Sequence, residues 1–198
     1  MKTINMLITG AGGQGVVLSS DMIGEVALAA GYDVKKTDIH GMAQRGGSVV
    51  SHVRIARQVF SPLSKEGEVD MLLGLEKLET ARWGYFLKPG GIAIINDYAL
   101  PPLSVTLGLD TYPTDAEITG ILKQSTDRVY VLPATKLAAE LGDVRTLNIL
   151  ILGCASVFMP IKVSTWKEVI SERLPEKIRK INLAAFELGR KEIQSVHL

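Results

Sequence analysis

Ile4-Asn5-Met6-Leu7-Ile8-Thr9-Gly10-Ala11-Gly12-Gly13-Gln14-Gly15-Val16-Val17 is the stretch that decides the fold. Residues 4–9 form an apolar run of strand length, stopped by glycines that can turn the chain tightly. Beyond them Val16, Val17, Ile23, Val26, Ala27 and Ala30 return at near-helical spacing until Gly31, a natural helix stop. Residues 33–38 make the next strand. Strand, glycine turn, helix and strand in that order predict a β-α-β unit, and so a parallel sheet with a right-handed crossover.

The pattern extends outward from there. A glycine-rich connection, Gly41-Met42-Ala43-Gln44-Arg45-Gly46-Gly47, leads into residues 48–55, where Val49, Ser51, Val53 and Ile55 alternate with Val50, His52 and Arg54 as in a strand. Residues 69–74 are apolar almost throughout and predict a central strand. Residues 76–87 predict a helix ended by Pro89-Gly90-Gly91, and 92–96 another buried strand. Pro101, Pro102 and Pro113 bound a stretch with little periodicity, read as a loop. Residues 116–124 predict a helix and 129–132 a strand. From Pro133 the pattern turns helical over 134–141, 144–159, 165–174 and 176–196, with Pro160 and Pro175 as breaks. No repeat, low-complexity tract or linker intervenes. The expected class is α/β: a doubly wound, mostly parallel sheet with a helical C-terminal third, one domain over 1–198.

Charge and cysteine content narrow the function classes. With 22 basic and 21 acidic residues the net charge is +1, and no basic run is interleaved with aromatic residues, which argues against nucleic acid as a partner. The first apolar stretch runs into glycines where a signal peptide would continue. No apolar run approaches the roughly 20 residues of a membrane span. A cytoplasmic chain without a membrane partner is expected. Cys154 is the single cysteine and lies in the apolar run 147–154. Neither an intramolecular disulfide nor a cluster held by about four thiolates can come from this chain alone. It reads as a small buried hydrophobe. His40, His52 and His197 are too scattered to suggest a metal site.

Gly10, Gly12 and Gly15 satisfy G-x-G-x-x-G between a predicted strand and a predicted helix. In a nucleotide site the first glycine makes the turn and the second admits a pyrophosphate to the backbone. The third lets helix and strand approach, and the helix start favours the negative charge. Asp38 stands near the end of the second predicted strand, where a dinucleotide site places its ribose-binding acid, but the glycine-rich 41–47 stretch would crowd an adenosine. A tight turn or an indiscriminate anion site explains the glycines equally well. In the second glycine stretch, Gln44 and Arg45 among glycines can gather amides and one guanidinium on a phosphate, a carboxylate or a partner's acid. His52 reads as structural. Glu76, at a strand end, suits either a ligand site or a helix start.

Taken together, Gly10-Ala11-Gly12-Gly13-Gln14-Gly15 and Gly41-Met42-Ala43-Gln44-Arg45-Gly46-Gly47-Ser48-Val49, followed by His52-Val53-Arg54-Ile55, resemble the gamma-type domain of the 2-oxoacid:ferredoxin oxidoreductases. The form of the second motif is similar to that of the indolepyruvate:ferredoxin oxidoreductase beta subunits. Asp70-Met71-Leu72-Leu73-Gly74-Leu75-Glu76 and Gly90-Gly91 before 92–96 extend the likeness nearly end to end. The resemblance implies a Rossmann-like subunit without catalytic residues of its own. It would assemble with a larger subunit carrying thiamine diphosphate and [4Fe-4S] clusters, and so meet ferredoxin only through the complex. That complex would turn a 2-oxoacid and coenzyme A into acyl-CoA and carbon dioxide. Carried onto this sequence, Gly10, Gly12, Gly13, Gln14, Gly15, Gln44, Arg45, Gly46 and Gly47 are the residues expected to meet either a nucleotide-like ligand such as coenzyme A or the catalytic subunit. The resemblance leaves those two roles open. Two other readings stand beside it: a free-standing NAD(P)-binding protein and an anion-binding scaffold. A subunit should also keep an apolar surface to bury, expected on the C-terminal helices around Trp166, Ile170, Leu174, Ile178, Ile181, Leu183 and Phe186. The isolated chain could form a homodimer through it.

Overall fold

Apolar residues alternate along β1 (Ile4–Ala11) so that Met6 and Ile8 face one side of the sheet and Leu7 the other, and all three are fully buried. A strand buried on both faces belongs in the middle of a sheet. The computed structural model, which describes residues 3–41 and 47–197, places β1 there. The strand order is β2 (Asp33–His40), β3 (Ser48–Ala56), β1, β4 (Val69–Gly74), β5 (Leu87–Asn96) and β6 (Val129–Leu132). Strands β1, β4, β5 and β6 pair in parallel, while β3 is antiparallel to both of its neighbours.

Two expectations need correction. Helix α1 (Val16–Ala29) does carry the chain from β1 to β2, but the two strands are not neighbours, because β3 lies between them. The reason is polarity. Strand β2 carries Lys35, Lys36 and Asp38 and suits an edge, whereas β3 offers Val49, Val50, Val53 and Ile55 to the interior. The helix predicted over 76–87 stops early: α2 spans Lys77–Arg82 and a 3₁₀ turn spans Gly84–Phe86. Pro89, Gly90 and Gly91 do not end a helix. They sit inside β5, where its register against β4 shifts between Val69 and Met71, and a bulge tolerates a proline that has no N–H to donate.

The two faces are covered unequally. Helix α2 and α4 (Asp115–Lys123) lie on one. The other carries α1 with α5 (Ala134–Glu140), α6 (Leu147–Ser156), α7 (Val163–Arg173) and α8 (Glu176–His197). Between β5 and α4 the excursion bounded by the prolines contains one short helix, α3 (Leu103–Thr106). Every residue of α6 is buried. Its backbone meets that of α8 directly: a Cβ on Gly153 would stand 2.1 Å from the Phe186 carbonyl oxygen, and one on Gly189 would stand 1.9 Å from that of Leu150. The Cys154 thiol donates to the Gly189 carbonyl at 3.2 Å, and burial pushes its pKa up to about 12. It is a packing residue and not a thiolate ligand.

This arrangement also corrects the expected docking patch. Trp166, Ile170 and Phe186 are fully buried, Leu174 and Leu183 lean on the same core, and Ile178 and Ile181 are half-buried. Wrapping the helices around the sheet consumes their apolar faces. No helix among the described residues is long and apolar enough to cross a membrane.

Candidate functional site

Chain connections leave β1 and β4 in opposite directions, toward β2 over one face and toward β5 over the other. Open α/β sheets bind ligands at such a switch point, beyond the C-terminal strand ends. The first glycine motif lies there. Gly10 is still within β1, where a Cβ would come within 2.8–3.1 Å of Gln14 Oε1, Val16 and Leu75, so it serves close approach and not the turn. The turn itself is made by Gly13 (φ 98°) and Gly15 (φ 82°), both in the left-handed region. Gly15 abuts α6: its Cβ would lie 1.9 Å from Asn148 Nδ2, which donates to the Gly15 carbonyl at 3.2 Å.

The loop's own side chain closes part of it. Gln14 Oε1 accepts the Ala11 N–H at 2.7 Å, and Gln14 Nε2 reaches the Leu75 carbonyl at 3.4 Å. The Gly12 N–H, which a dinucleotide site would turn to a pyrophosphate, donates instead to the Gly47 carbonyl at 2.8 Å. That bond joins the two glycine motifs that the sequence singled out. Gln44, Arg45 and Gly46 lie outside the described residues. Asp38, considered for a ribose, is one strand further from β1 than a ribose acid should be. It also has partners of its own, Ser51 Oγ at 2.6 Å and Lys36 Nζ at 3.0 Å. Burial opposes its charge, but those bonds outweigh it and hold the carboxyl below its ordinary range. Lys36 is raised in turn: burial works against it, and bonds to Asp21 and Asp38 win.

A chain of side-chain hydrogen bonds runs along the strand ends. Asn96 Nδ2 donates to the Leu75 carbonyl at 3.0 Å and to Thr135 Oγ1 at 2.8 Å, and the Thr135 N–H returns to Asn96 Oδ1 at 3.0 Å. With Gln14 it stitches together the ends of β1, β4, β5 and β6. Above it opens a cavity of about 400 Å³. Leu18, Tyr98, Val144 and Leu147 give it apolar walls, Gly13–Gly15, Thr135 and Asn148 a polar base, and Arg145 a cation at the rim. The N–H groups opening α1 have no intrahelical partner and carry the positive end of its dipole. Arg145 is itself paired with Asp143 (2.7 Å), and that hydrogen bond holds the Asp143 carboxyl down to about 2. Such a cavity suits an amphiphilic ligand with an anionic group. Among the described residues its lining contains no acid–base pair.

Sequence reasoning missed Leu18, Tyr98, Thr135, Arg145 and Asn148. Asn148 had a readable signal, as a polar residue near the start of the otherwise apolar 147–154 run. Two other candidates proved structural. His52 is 2% exposed, accepts the Ser64 N–H at Nδ1 (3.3 Å) and meets Phe86 edge to face; burial depresses its pKa. Glu76, 1% exposed, caps α2 through the Glu79 N–H at 2.7 Å, accepts the Leu100 N–H at 3.0 Å and takes the Tyr112 hydroxyl. Among the described residues no group of three His, Cys, Asp or Glu side chains is placed to hold a metal.

Comparison with known proteins comes to the same architecture. Residues 5–192 match the family model described as pyruvate ferredoxin/flavodoxin oxidoreductase. The chain is 39% identical to the indolepyruvate oxidoreductase subunit IorB of Thermococcus kodakarensis over 96% of each chain, and 38% identical to that of Archaeoglobus fulgidus over 94% and 93%. Two solved structures share the fold at lower identity. One is the keto/oxoacid ferredoxin oxidoreductase gamma subunit of Geobacter sulfurreducens (22% identity, TM-score 0.72, 97% of this chain and 99% of that one). The other is the 2-oxoglutarate:ferredoxin oxidoreductase of Magnetococcus marinus, solved with 2-oxoglutarate, coenzyme A and succinyl-CoA (21%, TM-score 0.75, 98% and 32%).

Proposed function

The chain belongs to the pyruvate ferredoxin/flavodoxin oxidoreductase family, as a gamma-type subunit of a 2-oxoacid:ferredoxin oxidoreductase, and from that premise we propose that its enzyme acts on indolepyruvate and related aryl 2-oxoacids. Residues 1–198 form one gamma-type domain of a cytoplasmic, heteromeric enzyme. The larger catalytic subunit carries the thiamine diphosphate and the [4Fe-4S] clusters. The complex joins a 2-oxoacid to coenzyme A, releasing carbon dioxide and passing two electrons to ferredoxin. This chain contributes no catalytic group. It supports assembly and offers coenzyme A a surface.

The observation that carries the substrate reading is identity of 38–39% along 96% of the chain with two proteins named as indolepyruvate oxidoreductase subunits. Support for the coenzyme A role comes from the cavity beside Gly13 and Gly15. Its apolar walls suit a pantetheine or an adenine, and the α1 amides, the Thr135 hydroxyl and Arg145 suit a phosphate. Gly10, Gly12, Gly13, Gln14 and Gly15 shape that loop. Gly47 ties in the second motif through the Gly12 N–H, and Gln44, Arg45 and Gly46 are kept as ligand-meeting residues on the strength of the resemblance alone. The free-standing NAD(P) reading loses ground at two points: the Gly12 amide is occupied, and Asp38 is committed to Lys36 and Ser51.

The test is isolation of the tagged chain from anaerobic extract of its source, with an assay for reduction of a viologen dye by aryl 2-oxoacids. The expected outcome is a brown, larger partner and dye reduction that requires coenzyme A and is faster with indolepyruvate than with pyruvate. A colourless partner, or activity indifferent to coenzyme A, overturns the reading.

A further inference from the structure

We propose that the excursion over residues 97–113 is the surface on which the larger catalytic subunit docks, a leucine-rich segment in a stretch of sequence with acidic and no basic residues, which calls for an apolar partner face bordered by Lys or Arg. This rests on the subunit role proposed above. Leu103, which opens α3, and Leu107, its C-cap one turn on, are 71% and 62% exposed, Leu109 is 78% exposed and Leu100 38%. Isolated exposed leucines are ordinary, but a cluster on one short segment marks an interaction site. None of the α3 residues is buried, so the segment contributes nothing to the core of its own chain.

The chain nevertheless fixes it firmly. Glu76 is buried at the end of β4, accepts the Leu100 N–H at 3.0 Å and holds the Tyr112 hydroxyl, so one carboxylate grips the excursion near its start and near its end. The Tyr112 hydroxyl also accepts the Leu78 N–H at 3.2 Å. The next residue, Lys77, repeats the grip: its ammonium binds Asp97 at 2.9 Å and Asp115 at 2.7 Å, and its N–H donates to the Tyr98 carbonyl at 3.0 Å. Sinking a carboxylate to immobilise a segment none of whose residues is fully buried makes physical sense if the leucines must be presented in one geometry.

Charge selects the occupant. Between Lys88 and Lys123 there is no Lys, Arg or His, while Asp97, Asp110, Asp115 and Glu117 all fall in that span. Lys77 offsets only part of this. A second copy docking through the same surface would bring acid against acid around the leucines, whereas a partner with a basic border meets attraction. The surface adjoins the cavity through Tyr98, so a subunit seated on it would also close the cavity mouth.

The test uses the whole chain and its catalytic subunit, identified by thiamine diphosphate content, with affinity measured at two salt concentrations. Leu103→Asp/Leu107→Asp should weaken the complex at least ~100-fold and leave the melting temperature of the free chain unchanged, because both side chains are exposed. Asp110→Lys should weaken it by ~3–10-fold at low salt and less at high salt. The control is Phe60→Asp, which alters an 87% exposed aromatic at the opposite end of the sheet and should leave affinity as in wild type. Wild-type affinity for the double leucine variant overturns the docking surface while the subunit role stands. So does loss of a homodimer with the heteromer intact, since the occupant is then a second copy. A wild-type chain that binds no thiamine-containing subunit overturns both.

Discussion

Glycine does opposite work in two regions of this molecule. At the α6–α8 crossing Gly153 and Gly189 remove side chains so that two backbones can touch, and each hypothetical Cβ lies about 2 Å from a carbonyl oxygen of the facing helix. At the switch point Gly13 and Gly15 supply a backbone conformation, and Gly13 has nothing within 4 Å of where its Cβ would be. The first pair is filled space, whereas Gly13 borders empty space. Helix α6 thus meets α8 backbone to backbone, while its first residues, Leu147 and Asn148, line the open cavity at the strand ends. What distinguishes scaffold from site here is which atoms stand around each glycine.

The crossing should be the less forgiving of the two. Gly153→Ala or Gly189→Ala places a methyl against backbone that cannot rotate away, so α6 and α8 must separate along a fully buried helix. Overpacking of this kind costs roughly 1–3 kcal/mol when neighbours are side chains. Against backbone we expect at least ~3 kcal/mol for either variant, or failure to accumulate as folded protein. Urea unfolding of the purified variants measures it. A loss below ~1 kcal/mol would mean that the helices slide freely and that the contrast with the switch point is unreal.

Gly15 stands between the extremes, since it has a left-handed φ and also a close neighbour, Asn148 Nδ2 at 1.9 Å. That neighbour is the end of a side chain and can move, at the cost of its bond to the Gly15 carbonyl. Gly15→Ala should cost ~2 kcal/mol, about half from the left-handed backbone and half from the displaced amide. The double variant Gly15→Ala/Asn148→Ala separates the two parts. It should show a coupling of at least ~0.5 kcal/mol, because the steric part vanishes and the backbone part stays. Strict additivity would show that Asn148 does not confront position 15.

How much of this was legible in the sequence depended on range. Period and punctuation located β1, α1, β4, β6 and the four C-terminal helices, because local patterns dictate local structure. The insertion of β3 between β1 and β2 was hidden, since it follows from the relative polarity of two whole strands. Pro89-Gly90-Gly91 read as a helix stop because a bulge inside a ladder leaves the same residues as a turn does. In the site, the glycine motif was plain. Tyr98, Thr135, Arg145 and Asn148 were not, as they arrive from the segment after β5, from α5, and from the start of α6 and the 3₁₀ turn before it, and converge only once the sheet has formed. The apolar surface was expected on the C-terminal helices because their leucines and aromatics are periodic. The three most exposed leucines among the described residues, Leu103, Leu107 and Leu109, instead occupy a proline-bounded segment with no period to read.

The smallest change in stability falls at Gly13, where function and stability should part. Gly13→Ala meets no atom, so its only structural cost is the left-handed φ, ~1 kcal/mol, a lowering of the melting temperature by roughly 2–4 °C for a chain of this length. The methyl would enter the open side of the loop, where the cavity begins. If coenzyme A lies against that loop, the assembled variant should require more of it, with KM raised ~10-fold and kcat little changed, since a contact equal in ground and transition states is what the methyl disturbs. The steady-state coenzyme A dependence of dye reduction reads this directly. An unchanged KM beside the small loss of stability would leave the loop as a turn and no more, and would move the coenzyme A surface away from Gly13 and Gly15. Both regions would then use glycine for structure alone, and the contrast between a filled crossing and an open switch point would say nothing about binding.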